Sequence, residues 1–351
     1  MRFFDAHCDT VLPELQGEGD FLSGQGGAHV DLPRLLDAGS CVQLFAIFAA
    51  RSQLPDADLP AAVELAASTI RGWAERSNGR MGLALSAADL QAACRGEGFR
   101  GMLGLEGADA LEGDPGSLAH FYDLGVRNLI PAWDDNAFSG TAFGSGGPLT
   151  RAGIELVEMA TDLRMMVDVS HLSDAAFERV REVVKGPFIA SHSNCRELCP
   201  HPRNLTDPMI HSIADHGGVM GINLAAYFLD PLFYRAWDAV NSPIQASIRA
   251  ASDPAVIARL KDERRARSSE LPLPSVEWVS RHVIRAIRKG GEDAVGLGGD
   301  LDGIEVMPAG LSGIEDYPSL ADLFRGAGLT ERQVEKVCWR NMARVFQEVL
   351  A

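Results

Sequence analysis

The sequence predicts an α/β protein: one (β/α)8 TIM-type barrel over residues 1–351, with its active site at the C-terminal ends of the strands. Three observations predict this fold. Eight short apolar stretches alternate with helical ones along the chain, which is the order of a parallel barrel. No repeat or low-complexity linker divides the 351 residues into separate domains. Several apolar stretches end on a histidine or a carboxylate, and barrels of this kind carry their chemistry at those strand ends.

The eight predicted strands are runs of Val, Ile, Leu, Met, Phe and Ala. Buried parallel strands need such runs because both of their faces are covered. The strands are predicted at residues 2–6, 41–50, 100–106, 126–132, 165–170, 188–191, 219–224 and 294–299.

The predicted helices rest on apolar periodicity and on capping residues. Residues 59–77 repeat apolar side chains at three- and four-residue spacing, and Thr150 and Ser173 are helix N-caps. Glycine-rich stretches at residues 17–27 and 136–149 are predicted loops. Helices are predicted at residues 31–38, 59–77, 116–124, 150–163, 173–184, 207–216, 253–269, 275–289 and 330–350.

The connection between strands seven and eight is too long for an ordinary loop of a barrel. It is rich in aromatic side chains and contains a predicted helix over residues 253–269. We therefore predict an insertion between these strands, at about residues 225–272, that covers the mouth of the barrel as a lid. Its aromatic residues are Tyr227, Phe228, Phe233, Tyr234 and Trp237.

Composition narrows the class of partner and the compartment. A formal net charge of −16 argues against nucleic acid and anionic membrane surfaces as partners. Six scattered cysteines predict free thiols rather than a disulfide framework. The N-terminal stretch lacks a signal-peptide pattern, and no stretch reaches the ~18 apolar residues of a membrane span. We expect a soluble, cytoplasmic protein.

Side chains that bind metals recur at the predicted strand ends. Imidazole and carboxylate are the usual ligands of zinc and related divalent ions. The two side chains of a His-x-Asp pair point to one face of an extended chain, so both can bind one ion. Three histidines with several carboxylates exceed the needs of one ion, and two ions that share a carboxylate and activate a water fit better. These residues are His7, Asp9, Glu106, His171, His192 and Asp300.

Each of these residues also has a structural interpretation, because a single histidine at a strand end is more often hydrogen-bonded than a ligand. Recurrence at several strand ends favours the metal site. The remaining histidines lack that placement and are interpreted as residues of the surface or behind the ligands. Gly298 and Gly299 are interpreted as sites of close backbone packing, because Asp300 and Asp302 would repel a phosphate.

With these residues in place, the chain resembles the membrane (renal) dipeptidase family of binuclear zinc peptidases. The resemblance extends over nearly the whole chain, and the number and order of its motifs are specific for the family but less so for the substrate. The matching stretches are residues 5–10, 29–33, 104–107, 149–150, 167–171, 191–194, 202–204 and 298–303.

The resemblance implies two Zn²⁺ ions per chain, or another divalent metal in their place. It implies that His7 and Asp9 bind one ion and that His171 and His192 bind the other. Glu106 would then bridge the two ions, and the water between them would attack the peptide bond.

The resemblance also assigns two residues to the substrate. Arg203 would bind its terminal carboxylate, a group that a guanidinium fork suits. Asp300 would carry the proton from the bridging water to the leaving amine. Trp133 departs from the family, because mammalian members have a histidine there that stabilises the tetrahedral intermediate. Indole can donate one hydrogen bond but carries no charge, so we expect altered rate or substrate choice. Asp134 or Asp135, nearby, would favour a substrate with a free ammonium group.

We therefore expect a metal-dependent dipeptidase. The resemblance implies that its substrates include L-Xaa-D-Xaa, because the family's recognition elements hold the two termini of the substrate. The alternatives are a binuclear hydrolase of another amide, a lactone or a deaminase-type substrate, and a non-catalytic barrel that binds a small ligand. A non-catalytic barrel would be expected to have lost a metal ligand or Asp300, and none of these residues is missing. A homodimer is implied by the resemblance alone.

Overall fold

The computed structural model describes residues 1–251 and 253–351, and eight parallel strands form its centre. Neighbouring strands follow the order β5-β4-β3-β2-β1-β8-β7-β6. A bridge between Asp168 and Ile189 joins the two ends of this order, so the sheet is a nearly closed barrel, as predicted. The strands are β1 Phe3–Cys8, β2 Ser40–Phe48, β3 Phe99–Glu106, β4 Val126–Ile130, β5 Met166–Val167, β6 Ile189–Ala190, β7 Val219–Ile222 and β8 Val295–Leu297.

Helices follow most strands and cover the outside of the barrel. Thr150 and Ser173 cap their helices as predicted, each accepting a backbone N–H three residues on. The α-helices are α1 Val11–Leu15, α2 Leu32–Ala38, α3 Leu59–Arg76, α4 Ala87–Arg95, α5 Leu118–Asp123, α6 Arg151–Asp162, α7 Asp174–Val183, α8 Asp207–Asp215, α9 Ala226–Leu229, α10 Pro231–Ala250, α11 Pro254–Ser269, α12 Glu277–Gly290, α13 Tyr317–Gly326, α14 Glu331–Glu335 and α15 Asn341–Val349. Short 3-10 turns occur at Asp109–Leu111, Pro115–Ser117 and Ile314–Asp316.

Some elements differ from the prediction. The strand Met81–Leu83, which pairs with β3, was not predicted, because three residues are too few to show a period. Helix α4 was also not predicted. The predicted loop at residues 17–27 contains a small hairpin of Gly19–Asp20 and Gln25–Gly26. The predicted terminal helix is present but contains a π-helical segment, Lys336–Arg340, between α14 and α15.

Strands β5 and β6 are much shorter than predicted, with two residues each. The carboxylate of Asp168 explains the difference, because its Oδ1 accepts the backbone N–H groups of both Ser170 and Ser191 at 3.0 Å. A side chain thus takes over hydrogen bonds that a longer ladder would make. Asp168 thus joins the C-terminal ends of β5 and β6, where the barrel closes.

The C-terminal helix closes the end of the barrel opposite the strands' C-terminal ends. Phe346 and Met342 of α15 pack into the cluster that includes Phe4 of β1 and Val219 of β7. The rings of Phe4 and Phe346 stack with centroids 5.5 Å apart, and burial of each such side chain contributes about 1.5–3 kcal/mol. The predicted ligands therefore lie at the end of the barrel opposite this packed helix.

The insertion between β7 and β8 consists of helices α9, α10 and α11. Its first turn is fixed to the barrel, because the backbone oxygens of Phe228 and Leu229 accept hydrogen bonds from Asn204 and His282. Tyr227 and Trp237 stack with ring centroids 4.3 Å apart. The lid predicted at about residues 225–272 includes one residue, 252, that lies outside the described part of the chain, and its action as a lid stays a prediction.

All six cysteines are free thiols, as predicted. Among the helices that the structure describes, none combines the length and the apolar character needed to cross a bilayer.

Candidate metal centre and substrate site

Two groups of ligand-type atoms meet at the open end of the barrel. In the first group, His7 Nε2 lies 3.6 Å from Asp9 Oδ2 and 3.4 Å from Glu106 Oε2. In the second, Glu106 Oε1 lies 3.0 Å from His171 Nε2 and 3.7 Å from His192 Nε2. Glu106 therefore turns one carboxylate oxygen toward each group.

Asp300 stands beside the first group. Its Oδ1 lies 4.0 Å from His7 Nε2, and its Oδ2 accepts a hydrogen bond from Asn223 Nδ2 at 2.8 Å. Three overlapping sets of ligand atoms result, each within 4.8 Å: His7 with Asp9 and Glu106, Glu106 with His171 and His192, and His7 with His192 and Asp300. All six residues that the sequence singled out at strand ends thus come together.

The donor set fits divalent cations. Both ring nitrogens of the buried His7 lack a hydrogen-bond partner among the described residues, although buried polar atoms normally have one. The Nε2 atoms of His171 and His192 face each other at 2.9 Å. Burial and the nearby Arg203 lower the pKa of His171 to about 4, and burial and His7 hold that of His192 well below its ordinary value. Both rings are therefore neutral near pH 7 and offer lone pairs to a cation.

The carboxylates crowd negative charge in the same buried space. Burial and the charge of Glu106 raise the pKa of Asp9 to about 6. Burial raises the pKa of Asp300 to about 7, with a further contribution from Asp9. Burial acts in the same direction on Glu106, but His7 and His171 outweigh it and hold its pKa below the ordinary value. Divalent cations would relieve this repulsion.

Two buried aspartates behind the site fix the strand ends. Asp5 accepts hydrogen bonds from the backbone N–H groups of His7 and Gly299 at 2.9 and 2.8 Å. Asp168 holds Ser170 and Ser191, the residues directly before the ligands His171 and His192. Neither aspartate is exposed to the site's solvent, so both position the backbone that carries the ligands.

A hydroxyl group lies beside the second ring nitrogen of His192. Its Nδ1 lies 2.8 Å from Ser191 Oγ. When the ring donates its Nδ1–H to this hydroxyl, the lone pair of Nε2 faces the ligand group, which is the usual arrangement behind a metal-binding histidine.

Backbone strain occurs at the same strand ends. His171, Asp300 and Asp302 have φ angles of 70°, 59° and 66°, a region that costs a non-glycine residue about 1–3 kcal/mol. Asp302 is held by Thr10 Oγ1 at 2.6 Å and by the backbone N–H of His29 at 2.5 Å. These bonds tie the end of β8 to the loops after β1 and offset the strain.

Gly298 is where the backbones pack most closely. A Cβ atom at this position would lie 1.7 Å from the backbone oxygen of Ser191, so no other residue fits. The predicted role in close packing at the barrel rim is confirmed.

Arg203 lies buried next to the second ligand group. Its Nη2 donates to the backbone oxygen of His192 at 3.4 Å, and its Nε has no partner among the described residues. Burial lowers the pKa of the guanidinium, while Asp300 and Glu106 favour its charged form. A buried cation with a free N–H group is suited to bind an anion.

Trp133 lies at the edge of the same site. Its ring centroid is 4.8 Å from that of Phe48 and 6.0 Å from that of His171. The oxygens of Asp135 accept hydrogen bonds from Thr141 and Ser145 and hold their loop. The expected preference for an ammonium group near Asp134 or Asp135 stays a prediction.

The family described as Membrane dipeptidase (Peptidase family M19) has a model that matches residues 1–351. The chain belongs to this family. A protein of Klebsiella pneumoniae, described as an uncharacterized protein in the pqqA 5' region, is 36% identical over 282 residues, which are 78% of this chain and 90% of that protein. Dipeptidase verJ of Clonostachys rogersoniana is 28% identical over 78% of this chain and 62% of its own length.

Solved structures agree with the family. A metallo peptidase from Rhodobacter sphaeroides, liganded with a phosphinate mimic of the dipeptide L-Ala-D-Ala, is 28% identical with a TM-score of 0.81, over 100% of this chain and 99% of that one. The probable dipeptidase PvdM from Pseudomonas aeruginosa has a TM-score of 0.85 at 20% identity, over 99% and 95% of the chains, and shares the fold. The enzyme is a metal-dependent dipeptidase that binds divalent metal.

Sequence reasoning missed Asn223, which lies beside the site. Asn223 follows β7 directly and donates to Asp300, so the strand-end rule that found the ligands could have found it. His201 was interpreted as a residue of the surface or behind the ligands; it is 2% exposed, and its Nδ1 accepts the backbone N–H of Arg203 at 3.1 Å, so it lies behind Arg203. His282 is also fully buried, between Cys195 and Leu229, and is not a surface residue.

Proposed function

We propose that the enzyme hydrolyses the peptide bond of dipeptides, including L-Xaa-D-Xaa, at a centre of two zinc ions. The position of Glu106 carries the proposal, because its two oxygens face two separate pairs of ligands. His7 and Asp9 would hold one ion, His171 and His192 would hold the other, and Glu106 would offer one carboxylate oxygen to each. When bound, such a pair of ions polarises the scissile carbonyl and supplies hydroxide near neutral pH.

Arg203 binds the carboxylate of the substrate's C-terminal residue. Its burial, its free Nε–H and its contact with the backbone of His192 support this role. Since a carboxylate next to the second ligand group would otherwise be repelled by Glu106, the guanidinium selects substrates that end on a free carboxylate.

Asp300 moves the proton from the attacking water to the leaving amine. Asn223 holds one of its oxygens, and the other faces the first ligand group. Its pKa of about 7 matches the requirement that one carboxyl group accepts a proton and then donates it near neutral pH.

Trp133 lines the substrate site beside His171. Its indole Nε1 makes no hydrogen bond to any described residue, so it is free to donate one to the substrate. Because indole carries no charge, it gives the reacting oxygen less stabilisation than a protonated histidine would.

The inclusion of L-Xaa-D-Xaa substrates is supported by the Rhodobacter sphaeroides metallo peptidase, whose ligand mimics L-Ala-D-Ala. The homodimer and the cytoplasmic location predicted from the sequence stay predictions.

Amino-acid release from a matched panel tests the proposal. The panel is L-Ala-L-Ala, L-Ala-D-Ala and L-Ala-D-Ala amide, assayed with zinc-loaded and with chelated protein. We expect chelator-sensitive cleavage of both free dipeptides and a much lower kcat/KM for the amide. Failure to cleave either free dipeptide with metal bound would overturn the proposal.

Two substitutions test the residue roles within the same panel. Arg203→Ala should raise KM and abolish the preference for the free carboxylate over the amide, while Arg281→Ala, at an exposed position on α12, serves as the matched control. Asp300→Asn should keep the bound metal and lose most of kcat. An unchanged preference in Arg203→Ala, or retained turnover in Asp300→Asn, would remove that residue from the mechanism.

A further inference from the structure

One large aromatic side chain stands exposed at the mouth of the barrel. Phe143, in the loop at residues 136–149, is 55% exposed. Within residues 1–251 and 253–351, the other large apolar side chains that are at least as exposed are both leucines. An exposed phenyl ring at a substrate site is available to pack on a ligand, because aromatic side chains commonly line such sites.

The backbone beside Phe143 is fixed to the metal-ligand side of the site. The N–H of Ala142 donates to the backbone oxygen of His171 at 2.9 Å. Thr141 forms a bridge with Leu172, and Asp135 accepts hydrogen bonds from Thr141. The loop is therefore held in place by several bonds, and the ring of Phe143 has a defined position.

The ring of Phe143 reaches the other side of the site, where Arg203 lies. Its centroid is 5.3 Å from that of His201, in an edge-on contact. His201 accepts the backbone N–H of Arg203 and packs against Phe228 with centroids 4.4 Å apart. The Arg203 guanidinium in turn lies 5.8 Å from the ring of Phe228.

Phe143 therefore lies between the ligand His171 and Arg203, the residue proposed to bind the substrate carboxylate. In a dipeptide, three bonds separate the scissile carbonyl carbon from the terminal carboxylate carbon, and the second side chain leaves from the Cα atom between them. If the carbonyl lies at the metal centre and the carboxylate at Arg203, that side chain lies in the interval that Phe143 borders.

We infer that Phe143 is a specificity-determining residue that contacts the side chain of the substrate's C-terminal residue and favours apolar and aromatic side chains there. This inference rests on the proposed function, which assigns the carboxylate to Arg203. An apolar side chain gains by leaving water against the ring. A charged side chain at the same place would lose water without finding a partner.

The test compares kcat/KM for L-Ala-Gly with that for L-Ala-L-Phe, L-Ala-D-Phe and L-Ala-D-Asp. The L and D series are both needed because the two configurations direct the side chain differently from the same Cα atom. In Phe143→Ala, we expect the ratio of the Phe substrate to L-Ala-Gly to fall roughly three- to ten-fold in at least one series, as an aromatic contact of ordinary strength implies. Phe143→Leu should keep most of that ratio.

Leu65→Ala is the matched control, because Leu65 is 58% exposed on α3 and lies in no part of the proposed site. Its ratios should equal those of the wild type. Unchanged ratios in both series for Phe143→Ala, or an equal change for all substrates, would overturn the inference while leaving the dipeptidase intact. Absence of cleavage of every dipeptide by the metal-loaded wild type would instead overturn the proposed function.

Discussion

Asp168 should be one of the costliest buried side chains to remove, and its amide analogue one of the best tolerated. In the native protein, its Oδ1 accepts the N–H groups of Ser170 and Ser191, and its Oδ2 accepts from Asn128 Nδ2 at 3.1 Å. Asp168→Ala leaves two buried backbone donors without a partner, at ~1–3 kcal/mol each, so we expect a loss of about 4 kcal/mol in the free energy of unfolding.

Asp168→Asn keeps an oxygen that can accept both N–H groups. Its new amide group can donate to Asn128 Oδ1, which has no partner among the described residues, once that side chain turns over. We therefore expect a cost of about 1 kcal/mol for the lost charge. Both variants are compared with the wild type by denaturant unfolding of the metal-free protein.

Asp174→Ala provides the control for this comparison. Asp174 forms an exposed ion pair with Arg196, and such pairs contribute at most about 1 kcal/mol. An Asp168→Ala protein within 1 kcal/mol of the wild type, or an Asp168→Asn protein as unstable as Asp168→Ala, would refute the assignment of these hydrogen bonds.

Three further predictions concern the metal site and the buried histidines. Ser191→Ala removes the partner of His192 Nδ1 and should weaken metal binding by about 10- to 100-fold in a chelator competition, whereas unchanged affinity would exclude this support. Trp133→His should raise kcat on dipeptides if a charged donor helps the reacting oxygen, and Trp133→Phe should lower it; equal values would exclude a hydrogen-bonding role. Burial lowers the pKa of His282 to about 4, so folding favours its neutral form, which is stabilising above about pH 6.5 and is lost as the pH falls toward 4. As the pH falls from 6.5 to 4, the free energy of unfolding of the wild type should decrease by about 3 kcal/mol more than that of His282→Gln. Equal pH dependence of unfolding for the two proteins would contradict this.

The strand ends were predictable because the signal that locates them is local. A buried strand shows as an apolar run, and a ligand-type residue that ends it is visible in the sequence, as with His7 or Glu106. The barrel followed from the alternation of such runs with helices. The sequence motifs shared with the dipeptidase family indicated the same residues.

The remaining features depend on contacts between distant parts of the chain. Strands β5 and β6 are short because a carboxylate, not the backbone, joins their ends, and a sequence pattern does not show which N–H groups Asp168 accepts. The burial of His201 and His282 arises from the packing of the insertion, which single-residue placement could not predict. The π-helical segment at Lys336–Arg340 lies in a sequence whose helical periodicity continues through it.

Zinc titration of the metal-free enzyme, with L-Ala-D-Ala hydrolysis as the readout, tests the proposed two-ion centre most directly. Because Glu106 faces two ligand pairs, the rate should rise until two equivalents of zinc per chain are bound and then stay constant. A plateau at one equivalent, or full hydrolysis in the chelated protein, would contradict the two-ion mechanism.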